Sequence, residues 1–282
     1  MASLHLGLLG AGIARSRMPR LQHYLGQLVN TQIEYVLIDG LNQPAFDAKA
    51  CVLQAIADGF QGLNVTHPYK QQIYSLVSSP CIPAHERIGS YNTLLFRGHQ
   101  ILGANTDYSG FIRAYLNKFG NRPPGQVFLC GAGGVGRAVA MGLKALGCKK
   151  IAIFDTVLSQ AESLAGLLES EAVSVTLVTE QTMATSVVNA DGLVNCTALG
   201  MYHTPGSAID LALVSKQQWA FDAVYTPLDT LFMTHCQQSG IQCLSGFDLW
   251  FFQGLDAFRL FTGMEIPPTG SLKQETLSWL DQ

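Results

Sequence analysis

Two apolar runs that flank a glycine-rich turn constrain the fold of this chain more than any other feature of its sequence. The first run, Gln126–Cys130, leads into Gly-Ala-Gly-Gly-Val-Gly at 131–136. A helix-forming segment, Ala138–Leu146, follows, and the second run, Ile151–Phe154, ends at Asp155. This order predicts a β-strand, a tight turn, an α-helix and a second buried β-strand, which together form a βαβ unit of a parallel sheet.

The glycine spacing of this turn is that of a dinucleotide-binding loop. The first glycine permits the tight turn, the second lets the backbone approach a pyrophosphate, and the third lets the helix pack close to the strand. The pyrophosphate would be held by free N–H groups at the positive end of the helix dipole. A purely structural turn is the alternative, but the strand, the helix and the acid all lie where a dinucleotide needs them. The predicted cofactor contacts of the loop are Gly131, Ala132, Gly133, Gly134 and Val135.

The acid at the end of the second strand indicates which dinucleotide binds. A carboxylate at this position, Asp155, accepts hydrogen bonds from the hydroxyl groups of the adenosine ribose and repels a 2′-phosphate. A phosphate site would need an arginine nearby, and no arginine lies between Arg137 and Arg259. We therefore expect NAD to be preferred over NADP, although Asp155 could instead only cap the helix that follows it.

The composition of the chain excludes several classes of protein. With 282 residues, 48% of them hydrophobic and 13% charged, the chain is long enough for two globular domains and is not disordered. The net charge of −3, without blocks of like charge, indicates neither nucleic acid nor a membrane as a partner. Seven scattered cysteines without a C-x-x-C pair suit a reducing cytoplasm and argue against a structural zinc site. We expect a cytoplasmic protein, either a monomer or a homodimer.

Predicted strands and helices alternate along the chain, which favours an α/β fold with two domains. Residues 1–106 are predicted to form an α/β substrate-binding domain, and residues 107–246 a Rossmann domain that binds NAD. The C-terminal residues 247–282 are predicted to be helical and to pack back on the first domain. An early glycine cluster, Gly10–Arg15, lacks the third glycine, and the next strand-end acid, Asp39, comes late, so we expect no second dinucleotide loop there.

Three segments of the chain are predicted to form specific local structures. Residues 90–96 and 100–104 are expected to pair as a β-hairpin around the turn Arg-Gly-His. Residues 70–76 are expected to form a helix, and residues 273–280 are expected to form the last helix.

Polar side chains lie on or directly after three predicted strands of the first domain. Asn64 and Thr66 come at the end of one strand, Asn92 lies on a second, and Asn105 and Asp107 follow a third. Because α/β sheets bind ligands at the carboxyl ends of their strands, these groups would offer donors and acceptors to a polyhydroxylated small molecule. Each residue alone would more commonly cap a turn, so the prediction rests on their combination.

Together these motifs resemble those of the shikimate/quinate dehydrogenase family along nearly the whole chain. The matching segments are Asn64–Lys70 (family pattern N-V-T-x-P-[YF]-K), Asn92–Leu94 (N-T-L), Gly103–Asp107 (G-x-N-T-D), Gly131–Gly136 (the glycine loop), Asn195–Thr197 (N-A-T), Asp222–Tyr225 (D-x-x-Y) and Gly246–Gln253 (a glycine with a later glutamine). Their order and spacing together make the resemblance specific.

The resemblance implies reversible oxidation of a ring hydroxyl to the 3-dehydro ketone, with NAD or NADP and without a metal ion. It implies that Lys70 and Asp107 form the catalytic pair. The substrate contacts that it implies are Ser16, Met18, Asn64, Thr66, Asn92, Tyr225 and Gln253, and the further cofactor contacts are Thr197, Ala198, Val224 and Gly246.

The chemistry of hydride transfer gives the lysine and the carboxylate a physical role. Oxidation of a secondary alcohol requires removal of the hydroxyl proton as the carbonyl forms. A lysine in a desolvated cleft can accept that proton, and a neighbouring carboxylate can position it. A lysine that stays charged could instead only stabilise the developing alkoxide, and the sequence leaves both roles open.

One departure from the family pattern affects the predicted carboxylate site. The family carries Ser-x-[ST]-Pro near its N-terminus, where two hydroxyls bind the substrate carboxylate, whereas this chain reads Ser16-Arg-Met18-Pro19. A thioether is at best a weak acceptor and cannot donate a hydrogen bond. The carboxylate contact is therefore expected to weaken, or to pass to Tyr225 or to an arginine of this loop. The expected substrate is shikimate, quinate or an amino analogue.

Two other functions remain open at the level of the sequence. The chain could be a non-catalytic sensor of a shikimate-pathway metabolite, which Met18 favours and the intact Lys70 and Asp107 oppose. It could also be a methylene-tetrahydrofolate dehydrogenase-like enzyme on the same two-domain plan. The motifs around Asn64 and Asp107 weigh against that second alternative.

Overall fold

The computed structural model describes residues 3–169 and 173–279 of the chain. The first two residues of the predicted substrate domain and residues 280–282 of the predicted C-terminal segment lie outside the described residues. The chain divides into two compact units, one formed by Met1–Thr106 with Gln253–Gln282 and the other by Asp107–Phe252.

The described residues form twelve strands, ten α-helices and two short 3-10 helices, and the strands and α-helices are numbered here in chain order. The strands are β1 (Ser3–Gly10), β2 (Gln32–Asp39), β3 (Gly62–Val65), β4 (Ser79–Pro80), β5 (Thr93–Arg97), β6 (Gln100–Ala104), β7 (Gln126–Cys130), β8 (Lys150–Phe154), β9 (Ser174–Leu177), β10 (Gly192–Asn195), β11 (Trp219–Asp222) and β12 (Gln242–Ser245). The helices are α1 (Met18–Leu28), α2 (Ala48–Ala57), α3 (Pro83–Ile88), α4 (Thr106–Phe119), α5 (Gly134–Ala145), α6 (Leu158–Glu169), α7 (Glu180–Val188), α8 (Leu231–Gln238), α9 (Gly246–Thr262) and α10 (Gly270–Leu277).

The first unit contains a mixed sheet with the strand order β2-β1-β3-β5-β6-β4. Strand β1 pairs in parallel with β2 and β3, whereas β5 is antiparallel to both β3 and β6. One buried side of this sheet packs against α2, whose inward residues Ala48, Val52 and Ala55 join a cluster with Leu63 and Leu94. This arrangement brings the carboxyl ends of β1, β2 and β3 to one edge of the sheet.

The second unit contains a sheet of parallel strands with the order β12-β11-β10-β7-β8-β9. The chain leaves β7 toward β8 on one side and returns later to β10 on the other, so the strand order reverses between β7 and β10. Ligands of open α/β sheets bind beyond the carboxyl ends of the strands at such a reversal. The glycine loop begins directly after β7, at Gly131.

The glycine loop is built so that a helix can start close to the strand. Gly131 has a φ of +96°, a conformation that glycine adopts without strain. A Cβ atom at Gly136 would collide with the carbonyl oxygen of Gly131, so the first turn of α5 can approach the loop only without a side chain there. The residues of α5 that follow are nearly all buried, including Val139 and Leu143.

The predicted α/β class, with a dinucleotide-type unit of parallel strands, is confirmed. The βαβ unit of the glycine loop and the β5–β6 hairpin both form, although β5 begins at Thr93, three residues later than expected. The helix expected at residues 70–76 forms only in part. Only a short 3-10 turn forms at Gln72–Leu76, since a segment this short gains too few helical hydrogen bonds to be stable by itself.

The last helix starts earlier than the sequence prediction placed it. Helix α10 begins at Gly270 because the side chain of Thr269 accepts a hydrogen bond from the N–H of Leu272 and caps the first turn. Helix α9 begins at Gly246, one residue before the segment predicted to be helical, and continues to Thr262. Within residues 3–169 and 173–279, every helix is too short or too polar to cross a bilayer.

Candidate functional site

The carboxylate of Asp155 fixes the position of the glycine loop in the second unit. Its Oδ2 accepts a hydrogen bond of 2.7 Å from the N–H of Ala132, and its Oδ1 accepts one of 2.8 Å from the N–H of Val157. The acid predicted to contact the ribose therefore also anchors the loop. Each carboxylate oxygen keeps lone-pair capacity for a further donor.

The turn after β10 lies directly against the glycine loop. A Cβ atom at Gly131 would lie 2.8 Å from the backbone carbonyl carbon of Cys196. Asn195 holds this turn, because its Oδ1 accepts hydrogen bonds from the N–H of Thr197 at 3.0 Å and from its hydroxyl at 2.7 Å. The predicted cofactor residues Thr197 and Ala198 are thus placed beside the loop at the point where the strand order reverses.

A buried carboxylate fixes the turn after β11. Asp222 is completely buried, and it accepts hydrogen bonds from Nδ2 of Asn195, from the N–H of Val224 and from the hydroxyl of Thr230 at 2.9, 3.0 and 2.7 Å. A Cβ atom at Gly246 would lie 2.8 Å from the carbonyl oxygen of Val224. The predicted cofactor residues Val224 and Gly246 therefore lie in contact with each other.

The glycine loop has the features that a pyrophosphate requires. Gly133 occupies the N-cap position of α5, and no side chain caps that helix. A Cβ atom at Gly133 would reach only Oε1 of Gln160, at 3.9 Å, so the backbone there is open to a close approach. The helix N-terminus, the absence of side chains and the adjacent carboxylate Asp155 together fit a dinucleotide.

In the first unit, Asn64 lies at the centre of a buried hydrogen-bond network. Its Oδ1 accepts a hydrogen bond of 2.8 Å from the hydroxyl of Tyr35. Its Nδ2 donates to the carbonyl oxygen of Asn92 at 3.3 Å and to Oγ1 of Thr93 at 3.0 Å. These contacts tie the end of β3 to β2 and β5 and hold the amide in a single orientation.

Asn92 is the second centre of the same network. Its Oδ1 receives the N–H of Thr106 at 2.7 Å and lies 3.1 Å from the hydroxyls of both Thr106 and Thr93. Among residues 3–169 and 173–279, none accepts a hydrogen bond from its Nδ2. The hydroxyl of Thr106 also lies 3.2 Å from Oε1 of Gln253. The network therefore brings together three predicted substrate residues, Asn64, Asn92 and Gln253.

The lysine predicted to be catalytic lies beside this network. Lys70 follows β3, is partly buried, and accepts a hydrogen bond of 3.2 Å from the N–H of Tyr91 through its backbone carbonyl. Thr66 is also partly buried, and its N–H donates to the carbonyl oxygen of Leu9 at 2.8 Å. Asp107 is buried in the first turn of α4.

Asn105 has a structural role in the strand-end motif. Its Nδ2 donates to the carbonyl oxygen of Ser90 at 2.9 Å, and its N–H donates to Nδ1 of His85 at 3.3 Å. Burial lowers the pKa of His85 to about 4, so this imidazole is neutral and can accept through Nδ1. The motif therefore uses Asn105 to fix the chain that leads into Thr106.

Met18 is a core residue as well as a predicted substrate contact. It is only 5% exposed, and its sulfur accepts a hydrogen bond of 3.4 Å from Nε2 of Gln22. A Cβ atom at Gly254 would lie 3.7 Å from its terminal methyl group, so the side chain fills space between α1 and α9. Ser16, by contrast, is partly exposed, and its Oγ accepts the N–H of Met18 at 3.3 Å.

The remaining predicted substrate residue, Tyr225, belongs to an aromatic group in the second unit. Its ring stacks on that of Trp250 with 6.1 Å between the centroids and 24° between the planes. Trp250 also packs against Phe247. These contacts limit how far the Tyr225 ring can turn.

Sequence reasoning missed two features of these sites. Tyr35 was not singled out from the sequence, although its hydroxyl binds Asn64, because the alternation of residues along β2 gives no sign of that contact. Asp39 was judged to come too late to reach the early glycine cluster. It lies level with Gly10, and its carboxylate accepts hydrogen bonds from the N–H groups of Gly12 and Ile13 at 2.8 and 2.9 Å.

The chain is similar to known dehydrogenases over its whole length. Residues 8–94 match the family model described as the shikimate dehydrogenase substrate binding domain. The chain is 36% identical to the quinate/shikimate dehydrogenase (NAD(+)) of Corynebacterium glutamicum strain R, over 98% of this chain and 99% of the relative.

Two solved structures agree with this similarity. The quinate dehydrogenase of Corynebacterium glutamicum in complex with NAD superimposes with a TM-score of 0.89 and 34% identity, covering 98% of this chain and 99% of that chain. The shikimate 5-dehydrogenase of Thermus thermophilus in complex with NADP(H) and shikimate has a TM-score of 0.84 and 27% identity, with 98% and 99% coverage.

The buried Asp222 predicts a pH dependence of stability. Burial raises the pKa of this carboxyl to about 6 from its ordinary value of 3.8, in spite of three donors that lower it. Because the folded state binds this proton more tightly than the unfolded state does, its contribution to stability is greatest below pH 3.8 and is lost as the pH rises through 6. The loss amounts to about 2–3 kcal/mol.

Urea unfolding of the parent and of Asp222→Asn between about pH 4 and pH 7.5 measures this contribution. As the pH rises, the free energy of unfolding of the parent should fall relative to that of Asp222→Asn. Parallel pH profiles for the two proteins would show that Asp222 titrates at its ordinary pKa.

Proposed function

Because this chain belongs to the shikimate/quinate dehydrogenase family, we propose that it reversibly oxidises a ring hydroxyl of shikimate, quinate or a close analogue to the 3-dehydro ketone, with NAD preferred. The chain is an NAD(P)-dependent oxidoreductase of that type. The observation that carries the proposal is the full-length similarity to a relative named for both acids and for NAD(+).

Two segments of the chain have separate roles in this proposal. Residues 1–106, with the returning segment 247–282, bind the acid, and residues 107–246 bind the dinucleotide. The buried network of Asn64, Asn92 and Gln253 supports the first role, because it presents fixed amide groups at strand ends. The open helix N-terminus at Gly133 supports the second role.

NAD supplies the hydride acceptor when it is bound. Lys70 then takes the proton from the substrate hydroxyl or stabilises the alkoxide that forms. Asp107 is its partner in the catalytic pair and positions the lysine. The amides of Asn64 and Asn92, the hydroxyl of Thr66 and the side chain of Gln253 hold the other oxygens of the ring. Ser16 provides the remaining hydroxyl of the carboxylate site, while the buried Met18 shapes it.

Replacement of Lys70 tests the catalytic role. We expect Lys70→Ala to reduce kcat by ~10²–10⁴ and to leave the affinity for NAD unchanged, because one acid–base group is lost while the dinucleotide residues are intact. Steady-state kinetics on shikimate and quinate, with calorimetry for NAD, provide the measurement. The exposed Lys49→Ala serves as the control and should match the parent.

Lys70→Arg separates the two possible roles of the lysine. A guanidinium stays charged and can stabilise an alkoxide but cannot act as a base, so partial activity would support charge stabilisation. Turnover by Lys70→Ala within a few-fold of the parent would remove Lys70 from the mechanism altogether.

The preference for NAD rests on Asp155. This carboxylate is held by the loop and by the N–H of Val157, and it would repel a 2′-phosphate at the ribose. The nearest arginine in the sequence, Arg137, donates a hydrogen bond of 3.1 Å to Oγ of Ser163. The charged group expected beside the ribose is therefore the Asp155 carboxylate, since the guanidinium of Arg137 binds Ser163 on α6.

A pair of substitutions tests this preference. The parent should show a higher kcat/KM with NAD than with NADP, and Asp155→Ser combined with Thr156→Arg should reduce the ratio at least about tenfold. The control is Asp39→Ser, which removes a similar strand-end carboxylate in the other unit and should leave the ratio unchanged. A parent that prefers NADP would contradict the role given to Asp155.

A further inference from the structure

The hydroxyl of Tyr35 makes a buried hydrogen bond to a residue of the proposed acid site. The tyrosine lies on β2, at the level of Leu6 on the neighbouring strand β1, and Asn64 lies on β3 on the other side of β1. The hydroxyl reaches across β1 and donates to Oδ1 of Asn64 at 2.8 Å. Tyr35 and Asn64 are 6% and 4% exposed, so no bulk water competes for this bond.

The hydrogen bonds of Asn64 can be counted completely. Its two amide hydrogens are both used, one on the carbonyl oxygen of Asn92 and the other on Oγ1 of Thr93. Its Oδ1 has two lone pairs, of which Tyr35 takes one. Asn64 can therefore offer a ligand only an acceptor. Burial raises the pKa of Tyr35 well above its ordinary value, which keeps its hydroxyl protonated as the donor.

The donors and acceptors of Thr93 and Asn92 can be counted in the same way. Since Oγ1 of Thr93 accepts from Asn64, its own proton is directed to Oδ1 of Asn92 at 3.1 Å or to the hydroxyl of Thr106 at 3.3 Å. Oδ1 of Asn92 also accepts the N–H of Thr106. Both hydrogens on Nδ2 of Asn92 are left without an acceptor within the part of the chain that is described. Asn92 can therefore offer a ligand only donors.

We propose that Tyr35 is a positioning residue that fixes the Asn64 amide so that its oxygen accepts from the ligand, beside an Asn92 whose amide the N–H of Thr106 fixes as a donor. The proposal rests on the proposed function. The site then selects a hydroxy acid that places a hydroxyl hydrogen at Asn64 and a lone pair of another oxygen at Asn92. Tyr35 acts only through Asn64, and no contact of Tyr35 with the ligand is needed.

Tyr35→Phe removes the hydroxyl and keeps the ring. The KM for shikimate or quinate should rise roughly tenfold, while kcat and the KM for NAD should change less than about twofold. Asn64→Ala should raise the same KM, and adding Tyr35→Phe to it should have little further effect, because Tyr35 acts through Asn64. Tyr115→Phe, which deletes another buried hydroxyl, in the second unit, should leave the KM for the acid unchanged.

A measurement without turnover tests the proposal independently. In ¹⁵N-labelled protein, the side-chain amide signals of Asn64 are those lost in Asn64→Ala. They should shift and exchange faster with solvent in Tyr35→Phe and stay unchanged in Tyr115→Phe.

The possible outcomes distinguish this inference from the proposed function. If the parent oxidises no acid, the proposed function fails, and the amide signals still decide whether Tyr35 positions Asn64. If the parent is active and Tyr35→Phe matches it in the KM for the acid and in the amide signals, only the inference is overturned. Equal rises in the KM for the acid and for NAD, or additive effects of Tyr35→Phe and Asn64→Ala, would indicate a general structural role and would overturn it too.

Discussion

The side-chain oxygen of Asn92 is the contact on which the buried polar network of the first unit depends. It receives the N–H of Thr106 at 2.7 Å and lies within 3.1 Å of the hydroxyls of Thr106 and Thr93. These bonds join the start of β5 to the start of α4, and the Thr106 hydroxyl extends them to Gln253 on α9. A buried amide oxygen that accepts a backbone N–H and lies within hydrogen-bond distance of two hydroxyls is costly to disturb, so the orientation of the whole side chain is fixed.

Strand-end aspartates perform a related task in both units. Asp155 binds the N–H of Ala132 in the loop after β7, and Asp39 binds the N–H groups of Gly12 and Ile13 in the loop after β1. Hydrogen bonds from the N–H of Leu41, and then from Gly12 and Ile13, hold the pKa of Asp39 below its ordinary value. The same device therefore positions two loops, and the close approach of Gly136 to Gly131 distinguishes the loop that suits a dinucleotide.

The sequence was most informative where one residue type is required by geometry. The glycine loop, its two strands and the helix between them were predictable because Gly131 has a positive φ and a Cβ atom at Gly136 would collide with the Gly131 carbonyl oxygen. The β5–β6 hairpin was predictable from its turn. In contrast, the alternation of β2 marks Tyr35 only as a buried residue, since the periodicity of a strand cannot reveal a partner two strands away. The engagement of the Met18 sulfur by Gln22 depends in the same way on packing, which no local pattern records.

The central claim is that Asn92 presents only donors to the acid, and Asn92→Asp tests it most directly. This isosteric change keeps one oxygen for Thr93 and Thr106 and replaces the free amide with a charged acceptor. Calorimetric titration with shikimate and quinate in the presence of NADH should show acid affinity reduced at least about a hundredfold, with NADH affinity unchanged. An affinity for the acids within about threefold of the parent would contradict the account.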